Sequence, residues 1–273
     1  MIAPVIDLIW WKEHRAEVVL ADVRWYLDGR SGREAFESGH IPGAVFVDLE
    51  RCLSGAASPS AGRHPLPDPA LFAAGMSQVG IGDDDTVVAY DDAGGVIAAR
   101  LVWMLRAIGK NAALLDGGLR IFQQPLESGQ NSRPPAKFTP IPWPLNRIAT
   151  IDEAADQRNV VLDARNRDRY QGEHDLVDPR AGHIPGAYNL PCRENLTSQG
   201  TFVALDELRR RFQSAGVTAG EEVISYCGSG VTACHNLLAL ELAGLGQGRL
   251  FPGSWSQYSH AADRAIATGS APD

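Results

Sequence analysis

The sequence predicts an α/β protein of two tandem domains, each a mainly parallel sheet flanked by helices. Three observations lead there. The chain has 273 residues, enough for two hydrophobic cores. Its two halves carry the same landmarks in the same order. Each half also alternates short β-branched runs with helical stretches, the pattern of βα units on a parallel sheet.

The first landmark is Val18-Val19-Leu20-Ala21-Asp22-Val23-Arg24, matched by Val160-Val161-Leu162-Asp163-Ala164-Arg165. Next come Gly39-His40-Ile41-Pro42-Gly43-Ala44 and Gly182-His183-Ile184-Pro185-Gly186-Ala187. Gly80 stands ten residues before Tyr90, and Gly216 ten before Tyr226. The runs ending at those tyrosines, Val87-Val88-Ala89-Tyr90 and Val223-Ile224-Ser225-Tyr226, read as buried strands. Helical patterns follow at Ala98 to Ile108 and at Ala233 to Ala243. Asp116-Gly117-Gly118 then answers Pro252-Gly253-Ser254, with Gly117 and Gly253 each 27 residues past the tyrosine. Ordered landmarks at near-equal spacing mark a duplication. Between the copies, Ser128-Gly129-Gln130-Asn131-Ser132-Arg133-Pro134-Pro135 leads into Pro140, Pro142 and Pro144, a semi-rigid linker composition. The expected organisation is a domain at 1–127, a linker at 128–148 and a second domain at 149–273.

The most informative segment is Ser225-Tyr226-Cys227-Gly228-Ser229-Gly230-Val231-Thr232-Ala233-Cys234. A cysteine follows a buried strand, and two glycines precede a helix. A strand end, a tight glycine loop and a helix start together aim several backbone N–H groups at one point, a concavity that stabilises an anion. Here the anion is the Cys227 thiolate, a good nucleophile in such a setting. A lone cysteine after a strand is more often a small core hydrophobe, but the Gly-x-Gly surroundings argue for chemistry. The first copy has Tyr90-Asp91-Asp92-Ala93-Gly94-Gly95-Val96 instead. No thiolate forms there, and its acids are expected to repel an anionic substrate, which gives one active and one degenerate domain.

Composition narrows the function further. The formal net charge is −8, and the longest basic run is Arg209-Arg210-Arg211. Nucleic-acid binding therefore has no electrostatic footprint. Met1 to Trp11 lacks the charged start and apolar stretch of a signal peptide. No segment approaches 18 apolar residues, so no membrane span is expected. Cys52, Cys192, Cys227 and Cys234 form no CxxC pair and no zinc spacing, which fits a reduced, cytoplasmic setting. Cys234, two turns into the helix, reads as core.

Across nearly its whole length the chain resembles the tandem-domain rhodanese-type sulfurtransferases. The paired Gly-His-Ile-Pro-Gly-Ala boxes, the cysteine-free first loop and the cysteine-bearing second loop carry the likeness. The run Cys227-Gly228-Ser229-Gly230-Val231-Thr232-Ala233 is similar to the 3-mercaptopyruvate branch, whereas the thiosulfate branch typically has Arg-Lys after the cysteine. Loop cations would hold the sulfonate of dianionic thiosulfate; mercaptopyruvate has a single carboxylate that arginines elsewhere can hold.

The resemblance implies a set of roles. Cys227 would be the nucleophile, within a substrate loop of Gly228, Ser229, Gly230, Val231 and Thr232. Arg169, in Arg169-Tyr170-Gln171-Gly172, matches a family substrate arginine, and Arg180 is the nearest candidate for a second. Arg165 reads as structural, because Arg24 holds its place in the other copy. The first copy is longer between its Gly-His box and its next strand: Gly39 to Val87 spans 48 residues, against 41 from Gly182 to Val223. The surplus lies around Arg51 to Pro67, and long loops often carry function. In the family an acid and a histidine from this region pair with the loop serine, which points to Glu50 and His64. The implied reaction passes sulfur from 3-mercaptopyruvate through a Cys227 persulfide to cyanide, a small thiol or a thiol protein such as thioredoxin, with no metal or organic cofactor.

Three other readings stay open. A thiosulfate:cyanide sulfurtransferase is the nearest. A phosphatase would need an arginine closing the cysteine loop, and none stands between Cys227 and Ala233. A non-catalytic binding module has no evident use for the loop cysteine with both glycines.

Overall fold

The computed structural model describes residues 1–173, 175–218 and 223–271. These form two compact units that interleave along the chain. Unit one comprises Met1–Gly55, Leu66–Trp143 and Leu196–Phe202; unit two comprises the described residues of Ala56–Pro65, Pro144–Asn195 and Val203–Asp273. The Pro-rich stretch 128–148 is thus divided at Trp143. Up to that point it belongs to unit one, where Phe138 and Trp143 pack on Phe72 at ring distances of 5.7 and 5.3 Å.

Unit one runs β1 (Val5–Ile6), α1 (Leu8–His14), β2 (Val18–Asp22), α2 (Gly32–Ser38), β3 (Val45–Phe46), α3 (Leu49–Cys52), α4 (Pro69–Gln78), β4 (Thr86–Tyr90), α5 (Ala99–Ala107) and β5 (Ala112–Leu115). Its sheet is parallel throughout, in the order β1-β5-β4-β2-β3. The helices start where the sequence supplies caps: Asp7, Ser31, Asp48 and Asp68 each accept a first-turn N–H, and Pro69 occupies the first turn of α4.

Unit two runs α6 (Ile151–Ala155), β6 (Val160–Asp163), α7 (Arg167–Gln171), β7 (Tyr188–Asn189), α8 (Leu205–Ser214), β8 (Val223–Tyr226), α9 (Ala233–Leu242), β9 (Arg249–Leu250) and α10 (Ser254–Tyr258). Its parallel sheet has the order β7-β6-β8-β9, so β8 is internal. All four β8 residues are buried, which explains an unbroken apolar run without alternation. The expected helices at Ala98 to Ile108 and Ala233 to Ala243 are α5 and α9, each within a residue at either end.

The repeated landmarks are repeated bonds. Arg24 forks onto Asp22 and reaches Gly39 O at 2.8 Å; Arg165 forks onto Asp163 and reaches Gly182 O at 2.7 Å. His40 Nδ1 bonds Phe36 O and His183 Nδ1 bonds Tyr170 O, both at 2.8 Å, each imidazole stacked on the ring of that partner residue. The Tyr90 and Tyr226 hydroxyls accept the N–H of Ile41 and Ile184. Each box is therefore pinned to its own central strand. Arg165, buried in this network, is structural like Arg24. No helix among the described residues is long and apolar enough to cross a membrane.

Candidate active site

Cys227 stands at the carboxyl end of an internal parallel strand, where open α/β sheets place their ligands. The residue is buried, and its Sγ accepts the N–H of Gly230 at 3.2 Å. Gly230 has φ +79, and a Cβ there would come within 2.5 Å of Pro252 O. Only glycine permits this turn at this distance. Behind the loop, Trp255 N donates to Cys227 O at 3.0 Å and Ser256 N to Gly228 O at 2.8 Å. Cys227 N donates to Ser254 Oγ at 3.1 Å, and that hydroxyl donates onward to Phe251 O. Ser254 is the one non-glycine residue with positive φ (+51) among the described residues. Such backbone costs on the order of 1–3 kcal/mol and gathers at functional sites. Its counterpart in the first copy is Gly118, with φ +54.

The degenerate copy shows what this loop geometry does to an anion. Asp91 occupies the position after the strand, fully buried and turned inward. Its Oδ1 accepts Ala93 N (2.8 Å) and Gly95 N (2.7 Å), and its Oδ2 accepts Ile97 N (2.8 Å) and Ala98 N (2.9 Å). Burial pushes this carboxyl above the usual range, and the four N–H donors work against that rise. The loop that was expected to repel an anion by its acid thus holds one of its own.

The segment Ala56–Pro65 belongs to unit two together with Cys227. His64 Nδ1 lies 2.8 Å from Ser229 Oγ, with both residues buried. The backbone of Arg63 is fixed by donation to Ser256 Oγ at 3.0 Å. Its guanidinium and that of Arg169 flank Gly228: Arg169 Nη1 lies 3.2 Å and Arg63 Nη2 3.4 Å from where a Cβ would stand. Asp178 joins them, with Oδ1 accepting Arg63 Nη1 at 2.7 Å and Oδ2 accepting Arg169 Nη2 at 2.9 Å. Asp175 also accepts from Arg169 and pairs with Arg165.

Two expected site residues lie differently. Arg180 donates from Nε, Nη1 and Nη2 to the main-chain carbonyls of Tyr258, Ser259, Ala261 and Arg264. Its guanidinium clamps the chain after α10 and is spent on that structural task, so the expectation of substrate binding is not carried forward. Glu50, just inside α3 of unit one, accepts the Trp25 indole N–H at 3.1 Å. Of the remaining loop residues, Val231 is buried and Thr232 is half-buried at the start of α9. Burial pushes the Cys192 thiol up to about 12, and Cys234 Sγ donates to Gly230 O at 3.4 Å, so neither competes as a nucleophile. The four cysteines form no disulfide among the described residues. No group of three or more His, Cys, Asp or Glu among the described residues is placed to hold a metal.

Sequence reasoning missed Arg63, Asp175, Asp178 and the Ser254 hydroxyl. The available signals were the place of Arg63 directly before His64, and the serine standing where the first copy has Gly118.

A model of the Rhodanese-like domain matches residues 9–124 and 149–261. A Pseudomonas aeruginosa protein named "Probable 3-mercaptopyruvate sulfurtransferase" is 42% identical over 266 residues, covering 93% of both chains. A Mycobacterium tuberculosis protein provisionally named thiosulfate sulfurtransferase SseB is 40% identical over 262 residues, covering 93% of this chain and 92% of its own. The crystal structure of SseA from Escherichia coli, presented among the 3-mercaptopyruvate sulfotransferases, superposes with a TM-score of 0.81 at 32% identity, over 93% of this chain and 99% of that one.

Proposed function

The chain belongs to the rhodanese-like family and is a sulfurtransferase enzyme, and we propose that it takes sulfur from 3-mercaptopyruvate onto Cys227 and hands it to a thiol or to cyanide. In the first half-reaction the Cys227 thiolate attacks the donor sulfur. The carbon–sulfur bond breaks, its electron pair leaves with carbon as pyruvate enolate, and the enolate takes a proton. Cys227 is left as a persulfide. In the second half-reaction the acceptor attacks the outer sulfur, the S–S bond breaks, and the thiolate returns. The Gly230 N–H and the loop geometry favour negative charge on sulfur in both. The first copy, with Asp91 where a thiol would be needed, takes no part in the sulfur chemistry.

The observation that carries the reading is the buried His64–Ser229 bond in the loop of Cys227. A carbon leaving group must be protonated, and a hydroxyl–imidazole pair can relay that proton. Sulfite, the leaving group from thiosulfate, needs no such delivery. We assign the relay to Ser229 and His64, donor binding to Arg169 and the loop residues Gly228, Gly230, Val231 and Thr232, and no step to Glu50. One observation favours the thiosulfate reading: Arg63 and Arg169 bring to Gly228 the cations that the loop itself lacks. Steady-state rates with the two donors, side by side, separate them. The expected kcat/KM for 3-mercaptopyruvate exceeds that for thiosulfate by at least about tenfold, or ~1.4 kcal/mol of discrimination. Gly228→Arg with Ser229→Lys should move the ratio toward thiosulfate. A wild-type preference for thiosulfate overturns the donor assignment.

A further inference from the structure

We propose that a cavity built wholly from unit one is a ligand site for a small phosphate monoester. The inference stands apart from the sulfurtransferase reading, because none of the residues it uses takes part in the sulfur chemistry.

Three observations carry it. The first is enclosure. Helix α2, strand β3, helix α3 and the chain at 131–133 contribute to a cavity of about 190 Å³. That is the space of roughly six waters, and it lies below the range of about 300–1,000 Å³ common for drug-sized ligands. A compact metabolite suits it better than a nucleotide. One wall is apolar, made by the buried residues Val45, Phe46 and Cys52.

The second observation is charge. Arg33 from α2, Arg51 from α3 and Arg133 line this cavity against one lining acid, Asp48. Asp48 Oδ1 is committed to the N–H groups of Glu50 and Arg51 as the cap of α3. Asp85 stands 3.8 Å from Arg133 Nη2, and even with it counted the cluster stays positive. The whole chain carries −8, so the cavity is a local reversal of sign that concentrates anions. Arg33 and Arg51 both favour the anionic form of the Cys52 thiol, against burial and Asp48, so their fields meet at the same wall.

The third observation is the supply of donors. The Arg33 guanidinium lies over the Phe46 ring, 4.9 Å from its centroid, which holds the cation beside the apolar wall without neutralising it. Arg133 is steadied by donation from Nε to Gly80 O at 3.1 Å. Neither the Arg33 nor the Arg51 side chain makes a hydrogen bond or ion pair among the described residues. All three arginines are exposed, so an anion can enter. Three guanidinium forks offer more N–H groups than the two oxygens of a carboxylate accept. A phosphate monoester presents three strong acceptor oxygens, one for each fork, and its carbon body can lie on the apolar wall.

The test titrates the full-length protein with glycerol 3-phosphate, inorganic phosphate and propionate by isothermal calorimetry. Arg33→Ala, Arg51→Lys and Arg169→Ala are compared with wild type, and circular dichroism confirms each fold. Glycerol 3-phosphate is expected to bind one site with Kd below about 1 mM. Inorganic phosphate, without the carbon body, should bind more weakly, and propionate at least about tenfold more weakly. Arg33→Ala should weaken the ester by at least about fivefold, and so should Arg51→Lys, which keeps the charge but loses the fork. Should one of these two variants fail to fold, the other decides. Turnover of 3-mercaptopyruvate by both should stay within about twofold of wild type, because neither residue touches the donor. Arg169→Ala should leave the Kd for glycerol 3-phosphate unchanged, which separates this site from the cysteine loop. No saturable binding of either phosphate up to about 20 mM overturns the inference. So does inorganic phosphate bound as tightly as the ester, binding that survives both Arg33→Ala and Arg51→Lys, or binding lost in Arg169→Ala. Each of those results leaves the sulfurtransferase reading standing. A wild-type protein that binds the ester and turns over neither sulfur donor overturns the sulfurtransferase reading alone.

Discussion

Asp91→Asn tests whether the loop after the central strand is an anion cradle by construction. The native carboxylate offers two acceptor oxygens to four main-chain N–H groups at 2.7–2.9 Å, all within unit one. Asparagine keeps one oxygen and turns an NH2 toward the other two donors, whichever way the amide is flipped. Two buried N–H groups then lose their acceptor and face donors. At roughly 1–3 kcal/mol per unsatisfied buried group, the loss is about 2–6 kcal/mol. That is a large part of the ~5–15 kcal/mol that holds a domain together. With about 2–4 °C of Tm per kcal/mol for a protein of this size class, the first calorimetric transition should fall by roughly 5–20 °C. The assay is differential scanning calorimetry of the intact protein, with far-ultraviolet circular dichroism to confirm the fold at 20 °C. A transition within about 2 °C of wild type would refute the reasoning, because it would mean that the four N–H groups need no anion. By extension it would weaken the case that the second loop stabilises a thiolate by the same geometry.

Other consequences follow from single contacts. His64→Ala should lower kcat with 3-mercaptopyruvate by roughly 100-fold or more, the usual scale for a lost general acid–base, with the thermal transition preserved; an unchanged kcat would reduce the His64–Ser229 bond to a structural one. His183 gives a pH dependence. Burial lowers its pKa, Nδ1 bonds Tyr170 O, and Nε2 is buried with no hydrogen-bond partner among the described residues. As pH falls through about 6.5 the unfolded chain takes up this proton first, so stability is full above that value and declines below it. The urea midpoint should therefore drop between pH 7.5 and pH 5.5, and less steeply in His183→Gln; equal slopes for the two proteins would exclude His183 as the cause.

What the sequence revealed depended on whether a contact was local or duplicated. The Gly-His-Ile-Pro-Gly-Ala boxes were legible because each copy repeats the same short bonds, arginine to aspartate and box N–H to tyrosine hydroxyl, at the same spacing. Cys227 was legible because strand, glycines and helix are contiguous. Arg63 was not, because its importance comes from Asp178, 115 positions away, and no periodicity links the two. Arg180 misled for a related reason. Standing just before the second box suggested a substrate role, but its donors meet carbonyls about 80 residues further on. The inward turn of Asp91 was not legible, because the main-chain N–H groups that receive it leave no mark in the sequence.

The central claim is that sulfur passes through Cys227, and intact-protein mass spectrometry tests it most directly. Wild-type protein incubated with 3-mercaptopyruvate and no acceptor should gain about 32 Da, one sulfur atom. The gain should map to the Cys227 peptide and vanish on addition of cyanide. Cys227→Ser should gain nothing and turn nothing over. A Cys227→Ser protein that still acquires sulfur on Cys52, Cys192 or Cys234 and completes the reaction would contradict the account.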